Sequence, residues 1–194
     1  MARFNVMPAL YGWPLESTTL NRPCTVRLAH MDSVNRLSCF RDNRVVGFER
    51  VSPGGIDDVR GFLREADLTL AGLDEPMVRL WVERNDSGKV IGSTGFELSR
   101  DHRHALIRSV AVAPHCRTTG SGSLLARYAM EQAHAAGASR AWLFSRRSGP
   151  FWQKLGFTSA DRNELAAALP EAHQVRLFSD SGQLEREVAW SQEI

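Results

Sequence analysis

The reading of the chain turns on one stretch: Ser109-Val110-Ala111-Val112-Ala113-Pro114-His115-Cys116-Arg117-Thr118-Thr119-Gly120-Ser121-Gly122-Ser123-Leu124-Leu125. A strand pattern stops at Pro114. A turn carrying Arg117, Gly120 and Gly122 follows and leads straight into a helix pattern. The first N–H groups of a helix have no partner within it, and its dipole favours negative charge at that end. Glycine at 120 and 122 lets phosphate oxygens approach the backbone without a Cβ in the way. Arg117 adds positive charge, while Thr118, Thr119, Ser121 and Ser123 add hydroxyl donors. The stretch therefore reads as a nest for a diphosphate. The bland reading, a capped glycine turn, would lead for an isolated Gly-x-Gly, but the strand–Pro–Arg-x-x-Gly-x-Gly–helix context moves the odds away from it. Other phosphate loops do not fit: no Lys-Ser/Thr follows the glycines, and Gly-x-Gly-x-x-Gly is absent.

Outward from this loop, strands are predicted at 45–51, 78–83, 90–98 and 106–112, the last three forming a meander. Asn85-Asp86-Ser87-Gly88 is a hairpin turn. Apolar positions Ile56, Val59, Phe62, Leu63 and Ala66 predict a helix behind the Ser52-Pro53-Gly54-Gly55 turn. Residues 68–73 are ambiguous between a short helix and a loop. The helix opening at Gly120–Gly122 should stop near Gly137. A strand at 141–145, a short helix at 150–155, a strand from Phe157 and a helix at 163–169 follow. Residues 173–178 and 187–190 read as closing strands. The fold class is α/β, with a mixed, mostly antiparallel central sheet covered by helices on both faces.

The loop resembles the acetyl-CoA-binding motif of the GCN5-related N-acetyltransferase (GNAT) family, Arg/Gln-x-x-Gly-x-Gly/Ala behind an apolar strand. A second stretch, SRRSGPFWQKLGF from Ser145 to Phe157, strengthens the resemblance. There Ser145, Ser148, Trp152 and Gly156-Phe157 stand where the family usually has Asn, Ala, Tyr and Gly-Phe. The likeness spans about residues 45–178. The strand around Arg108 and the run from Gly156 to Leu169 further resemble the arsenic-resistance-associated, or amino-acid-type, branch.

The resemblance implies a V-shaped splay between the fourth and fifth strands, 106–112 and 141–145. It implies acetyl-CoA as cosubstrate, with its pyrophosphate on the main chain of Arg117, Thr118, Thr119, Gly120, Ser121 and Gly122, extending to Ser123. The pantetheine arm would lie along Val110, Ala111 and Val112 like an added strand, next to a β-bulge. The N–H at or near Val110 would stabilise the oxyanion of the tetrahedral intermediate. Dimerisation through the C-terminal strands is a further family habit.

Proton transfer is less readable. An indole cannot give up a proton at neutral pH, so Trp152 cannot inherit the family tyrosine's role as acid. Packing over the cofactor slot is its simpler reading, which leaves Ser145 or water to assist the departing thiolate. Glu97 is the candidate base, acting through water, or else an ordinary strand carboxylate. Arg108 either holds a substrate carboxylate or pairs with Glu97 across adjacent strands. His102 and His104 sit in a polar turn and could titrate, but turn histidines are usually bystanders.

Composition bounds the rest. The chain has 194 residues, 43% hydrophobic and 24% charged, which suits an ordinary soluble domain. A net charge of +2 is too balanced to advertise a nucleic-acid or anionic-membrane surface. Lys89 and Lys154 are the only lysines. Cys24, Cys39 and Cys116 form no CxxC pair, so no metal site is expected. No secretory or membrane segment is recognisable, so the expectation is a cytoplasmic protein. Residues 1–45, broken by Pro8, Pro14 and Pro23, read as an N-terminal extension, and residues 46–194 as the transferase domain. The favoured function is transfer of acetyl to the primary amine of a small molecule, an amino acid or carboxylate-bearing analogue. The alternative is a non-catalytic acyl-CoA-binding or regulatory module. A charged-tRNA acceptor would want a more basic face.

Overall fold

The computed structural model describes residues 37–41 and 44–194. Most of the N-terminal extension read at 1–45 lies outside the described residues. The elements are β1 (Leu37–Arg41), β2 (Arg44–Arg50), α1 (Ile56–Glu65), β3 (Val78–Arg84), β4 (Val90–Leu98), β5 (His104–Val112), α2 (Ser121–Ala135), β6 (Arg140–Phe144), α3 (Gly149–Lys154), β7 (Thr158–Ala160), α4 (Arg162–Ala168), α5 (His173–Asp180) and β8 (Ala189–Glu193). Among the described residues they form one eight-stranded sheet in the order β1-β2-β3-β4-β5-β6-β8-β7. Every neighbouring pair is antiparallel except β5 with β6.

Alternation along the strands divides the side chains between two faces. On one face α2 and α3 cover Phe48, Trp81, Phe96, Leu143 and Trp190. On the other, α1 covers Val78, Leu80 and Val82. Leu165, Leu169 and Val175 from the α4–α5 region cover Leu106, Trp142 and Ala189. Glu97 is paired with Val78 on one side and Leu106 on the other. It therefore lies between those two clusters, on the same face as both.

The hairpin turn forms as expected, with Asn85 Oδ1 accepting from the N–H groups of Ser87 and Lys89. Residues 68–73 are a loop with isolated turns. Two expectations differ from the structure. Residues 37–41, inside the stretch read as extension, form β1, paired in register with β2. Residues 173–178 are not a strand but most of α5. The alternation of His173, Val175 and Leu177 imitates a strand, yet only Val175 of the three is buried, and Leu177 is 43% exposed. Val175 and Phe178 share a helical face, and the Phe178 ring lies 5.3 Å from that of Phe144.

The parallel contact of β5 with β6 is short. It joins His104 to Arg140, Ala105 to Ala141 and Leu106 to Trp142, and goes no further along β5. Beyond it the two strands diverge, which is the expected splay.

Candidate active site

The splay is built by a fault in β5. Against β4, Ser93 pairs with Ala111 but Gly95 pairs with Arg108, so two residues of β5, Ser109 and Val110, oppose Thr94 alone. Ser109 takes a left-handed backbone (φ +59°), and the Ser93 hydroxyl donates to its carbonyl at 2.6 Å. This is the β-bulge the resemblance implied. Burial changes there as well: residues 105–109 are buried, whereas Val110, Ala111 and Val112 are half-buried along the open edge. A strand edge without a partner presents main-chain donors and acceptors that an extended ligand can pair with.

The loop beyond β5 makes a 3-10 turn at Pro114–Cys116 and enters α2 through Gly120. Gly120 has φ +89°, which explains glycine here by conformation, since an added Cβ would meet open space. Thr118 and Ser121 satisfy each other. The Thr118 N–H donates to Ser121 Oγ at 3.0 Å, and the Ser121 N–H donates to the Thr118 carbonyl at 3.1 Å. The Arg117 N–H bonds to the Pro114 carbonyl, and its Nε donates to the Val112 carbonyl at 3.1 Å. Among the described residues, no protein acceptor meets the N–H of Thr119, Gly120, Gly122 or Ser123. Helix α2 also lacks a side-chain cap. Four unpaired amides at the start of a 15-residue helix fit a pyrophosphate group.

Ser145 and Trp152 flank the other side of the splay. Ser145 follows β6 directly; its Oγ accepts from the Ser148 N–H at 3.2 Å, and its carbonyl accepts from Trp190 Nε1 at 2.9 Å. The hydroxyl keeps its own proton for donation. Trp152 is buried, edge-on to Phe151 and Phe157 at 4.9 and 5.3 Å. Its ring belongs to the core under the slot.

Glu97 and Arg108 come together across β4 and β5, Oε2 to Nη1 2.9 Å, with side chains 2% and 1% exposed. Arg108 Nη2 also donates to the Ala71 carbonyl, in the loop between α1 and β3. The other Glu97 oxygen, Oε1, accepts from the His173 N–H at 2.9 Å and lies 2.6 Å from His173 Nδ1. Both carboxylate oxygens are thus engaged. Burial pushes the Arg108 guanidinium below its ordinary range, and the Glu97 charge opposes that shift. Two buried polar atoms at the bulge lack a protein partner, Arg108 Nε and Ser109 Oγ.

His104 is settled by packing: its Nδ1 accepts from Trp142 Nε1 at 3.2 Å. His102 sits in the turn before β5 with φ +62°. Asp101 in that turn is held below the usual carboxylate range, first by the Ser99 hydroxyl and then by the Arg103 N–H. His173 and Ala71 are the members of the buried network that sequence reasoning missed. Nothing periodic marks either, and His173 stands 76 positions from Glu97.

A bulged strand splayed from its parallel neighbour, followed by a loop of unpaired amides, is the arrangement that the resemblance in the sequence implied. Residues 57–157, just over half of the chain, match the family model described as the acetyltransferase (GNAT) family. The chain belongs to that family. Solved structures share the fold. The N-acetylglutamate synthase of Neisseria gonorrhoeae, in complex with coenzyme A and N-acetyl-glutamate, has 19% identity and a TM-score of 0.58 over 75% of this chain and 35% of its own. Rv2747 of Mycobacterium tuberculosis, in complex with CoA and NLQ, has 17% identity and a TM-score of 0.60, covering 76% of this chain and 98% of its own. A GNAT-family acetyltransferase of Staphylococcus aureus Mu50 has 11% identity and a TM-score of 0.55, covering 75% and 98%. At these identities the likeness is one of fold. The chain spans about a third of the length of the gonococcal synthase. No curated protein matches the sequence.

Among the described residues no cluster of three or more His, Cys, Asp or Glu side chains is arranged to hold a metal ion. No described helix is long and apolar enough to cross a membrane.

Proposed function

We propose that the protein transfers acetyl from acetyl-CoA to the primary amine of a small molecule, an amino acid or a carboxylate-bearing analogue. The observation that carries this reading is the set of unpaired amides at Thr119, Gly120, Gly122 and Ser123, set beside the open edge at Val110, Ala111 and Val112. The amides take the pyrophosphate, and Arg117 adds charge above them. The edge takes the pantetheine arm, with the Val110 N–H directed at the acetyl carbonyl, where negative charge develops in the transition state. Bound there, acetyl-CoA supplies a thioester carbonyl open to attack by an amine. Ser145 donates to the departing sulfur, the role Trp152 cannot fill.

An amino-acid acceptor draws support from the ligand of a structural neighbour, N-acetyl-glutamate in the gonococcal synthase structure. Arg108 and Glu97 enter this reading as a pair beside the acceptor side of the bulge. The pair fixes the loop at Ala71.

Purified protein given acetyl-CoA and a panel of amino acids, polyamines, aminoglycosides and peptides with free N-termini should release free thiol with at least one amino acid. Silence across the panel overturns the proposal. Trp152 favours one second reading, an acyl-CoA-binding module without turnover. Calorimetry distinguishes it, since coenzyme A would bind while no amine produced thiol.

A further inference from the structure

Glu97 is charged, buried and far from solvent, and its route outward is through His173. The His173 main-chain N–H and the ring Nδ1 both point at Glu97 Oε1, at 2.9 and 2.6 Å. A carboxylate bound on its other oxygen to an arginine is an acceptor at that distance, so Nδ1 must be the ring nitrogen that carries hydrogen. That tautomer leaves Nε2 with a lone pair. The ring is held on a second side, because a Cβ on Gly72 would fall 2.2 Å from it. The His173 side chain is nonetheless 30% exposed, against 2% for Glu97. Nε2 lies 3.8 Å from Glu75 Oε1, too far for a direct hydrogen bond.

We propose that His173 Nε2 is the proton acceptor for the ammonium group of the acetyl acceptor, with Glu97 and Arg108 as positioning residues behind it. This rests on the transferase reading above. In the step an N–H bond of the ammonium breaks and an Nε2–H bond forms. The electron pair stays on the substrate nitrogen, which becomes the nucleophile. Charge accounts for each member. Arg108 balances Glu97 before the step, so the buried pair is neutral. After it, the imidazolium lies between Glu97 on Nδ1 and Glu75 beyond Nε2. A carboxylate fixing the tautomer and stabilising the charged ring is the logic of hydrolase triads, here assembled from β4 and the first residue of α5. The charged groups facing the ring are Glu97 from β4, Glu75 from the loop before β3, and Arg108 from β5 through Glu97.

The test is His173→Asn, whose amide keeps a donor for Glu97 Oε1 while losing the basic nitrogen. With the best amine of the panel, kcat/KM should fall about 100-fold or more, the scale of general base catalysis. The coenzyme A Kd should stay within about twofold. Wild-type kcat/KM should rise with pH through a single limb, as a general base accepts a proton only in its neutral form. That limb should vanish in the variant, and added imidazole should restore part of the rate. In parallel, ¹⁵N NMR of wild-type protein should show His173 as the Nδ1–H tautomer. A variant within threefold of wild type, an unchanged limb, or an Nε2–H tautomer would overturn the assignment. If instead wild type bound coenzyme A yet acetylated no amine, the transferase reading itself would fail, and this one with it.

Discussion

Glu97 and Arg108 face each other from adjacent antiparallel strands, two residues out of direct register and on the same face, and form an ion pair shielded from solvent on both sides. Each of these charges is tolerable only because of the other. Removing one partner of a buried pair typically costs about 3–5 kcal/mol, whereas replacing both with apolar groups is often neutral. Glu97→Ala should therefore destabilise the fold on that scale, and Glu97→Leu with Arg108→Met should recover most of the loss. Urea melts of the single and double variants check this. A double variant no more stable than Glu97→Ala would count against the pair being the reason both charges are tolerated.

Gly120 holds a left-handed backbone at the entrance to α2 with nothing near its missing Cβ. Gly120→Ala should then cost about 1 kcal/mol in stability, from conformation alone. It should also weaken coenzyme A binding several-fold, because relaxing the strain turns the loop amides. Thermal melts and calorimetry measure the two effects separately. Unchanged affinity would mean that the amides do not depend on this turn.

Ser109 is the non-glycine residue that pays for the bulge. Its φ is +59° and its buried hydroxyl lacks a protein partner. Ser109→Gly should stabilise the protein by about 1 kcal/mol, since glycine adopts this conformation freely and the variant removes the unsatisfied hydroxyl. The Ser93 bond to the residue-109 carbonyl survives the change. Loss of stability in the variant would show that the hydroxyl is held by something other than protein.

Glu187 lies beside the cleft formed by Ala160, Asp161, Arg162 and Asn163. Burial raises its carboxyl above the usual range, and Arg146 and Arg147 only partly oppose this. The folded protein thus holds that proton more tightly than the unfolded chain. Its contribution to stability is present at acid pH and is lost as pH rises from the ordinary glutamate value, about 4, through the raised one. Glu187→Gln should remove this dependence. Melting temperatures of wild type and variant should diverge as pH rises towards neutrality, with the variant higher. Parallel curves would contradict the shift.

The turn into α2 was legible because its requirements are local: a strand, a proline stop, and glycine where the backbone turns left-handed. The meander was legible from alternation and one clear hairpin turn. Strand β1 was not, because a short strand in a proline-broken segment shows too few periods to stand out. Helix α5 was misread, since a two-residue apolar spacing over His173, Val175 and Leu177 satisfies a strand pattern as well as a helical one. The Glu97–Arg108 pair was one of two readings of a charge in an apolar strand, and only the register of β4 on β5 brings Glu97 Oε2 to the guanidinium. His173 could not be found at all. Its role depends on the first residue of α5 coming back to Glu97 on β4, a long-range placement that leaves no trace in neighbouring residues.

The central claim is that main-chain amides at the start of α2 hold the pyrophosphate of coenzyme A. Amide NMR spectra recorded with coenzyme A, and separately with pantetheine, which lacks the pyrophosphate, test it directly. The account predicts that Thr119, Gly120, Gly122 and Ser123 shift strongly with coenzyme A and little with pantetheine. If those four resonances stayed in place with coenzyme A, or moved equally with both compounds, the pyrophosphate would be bound elsewhere and the account would be wrong.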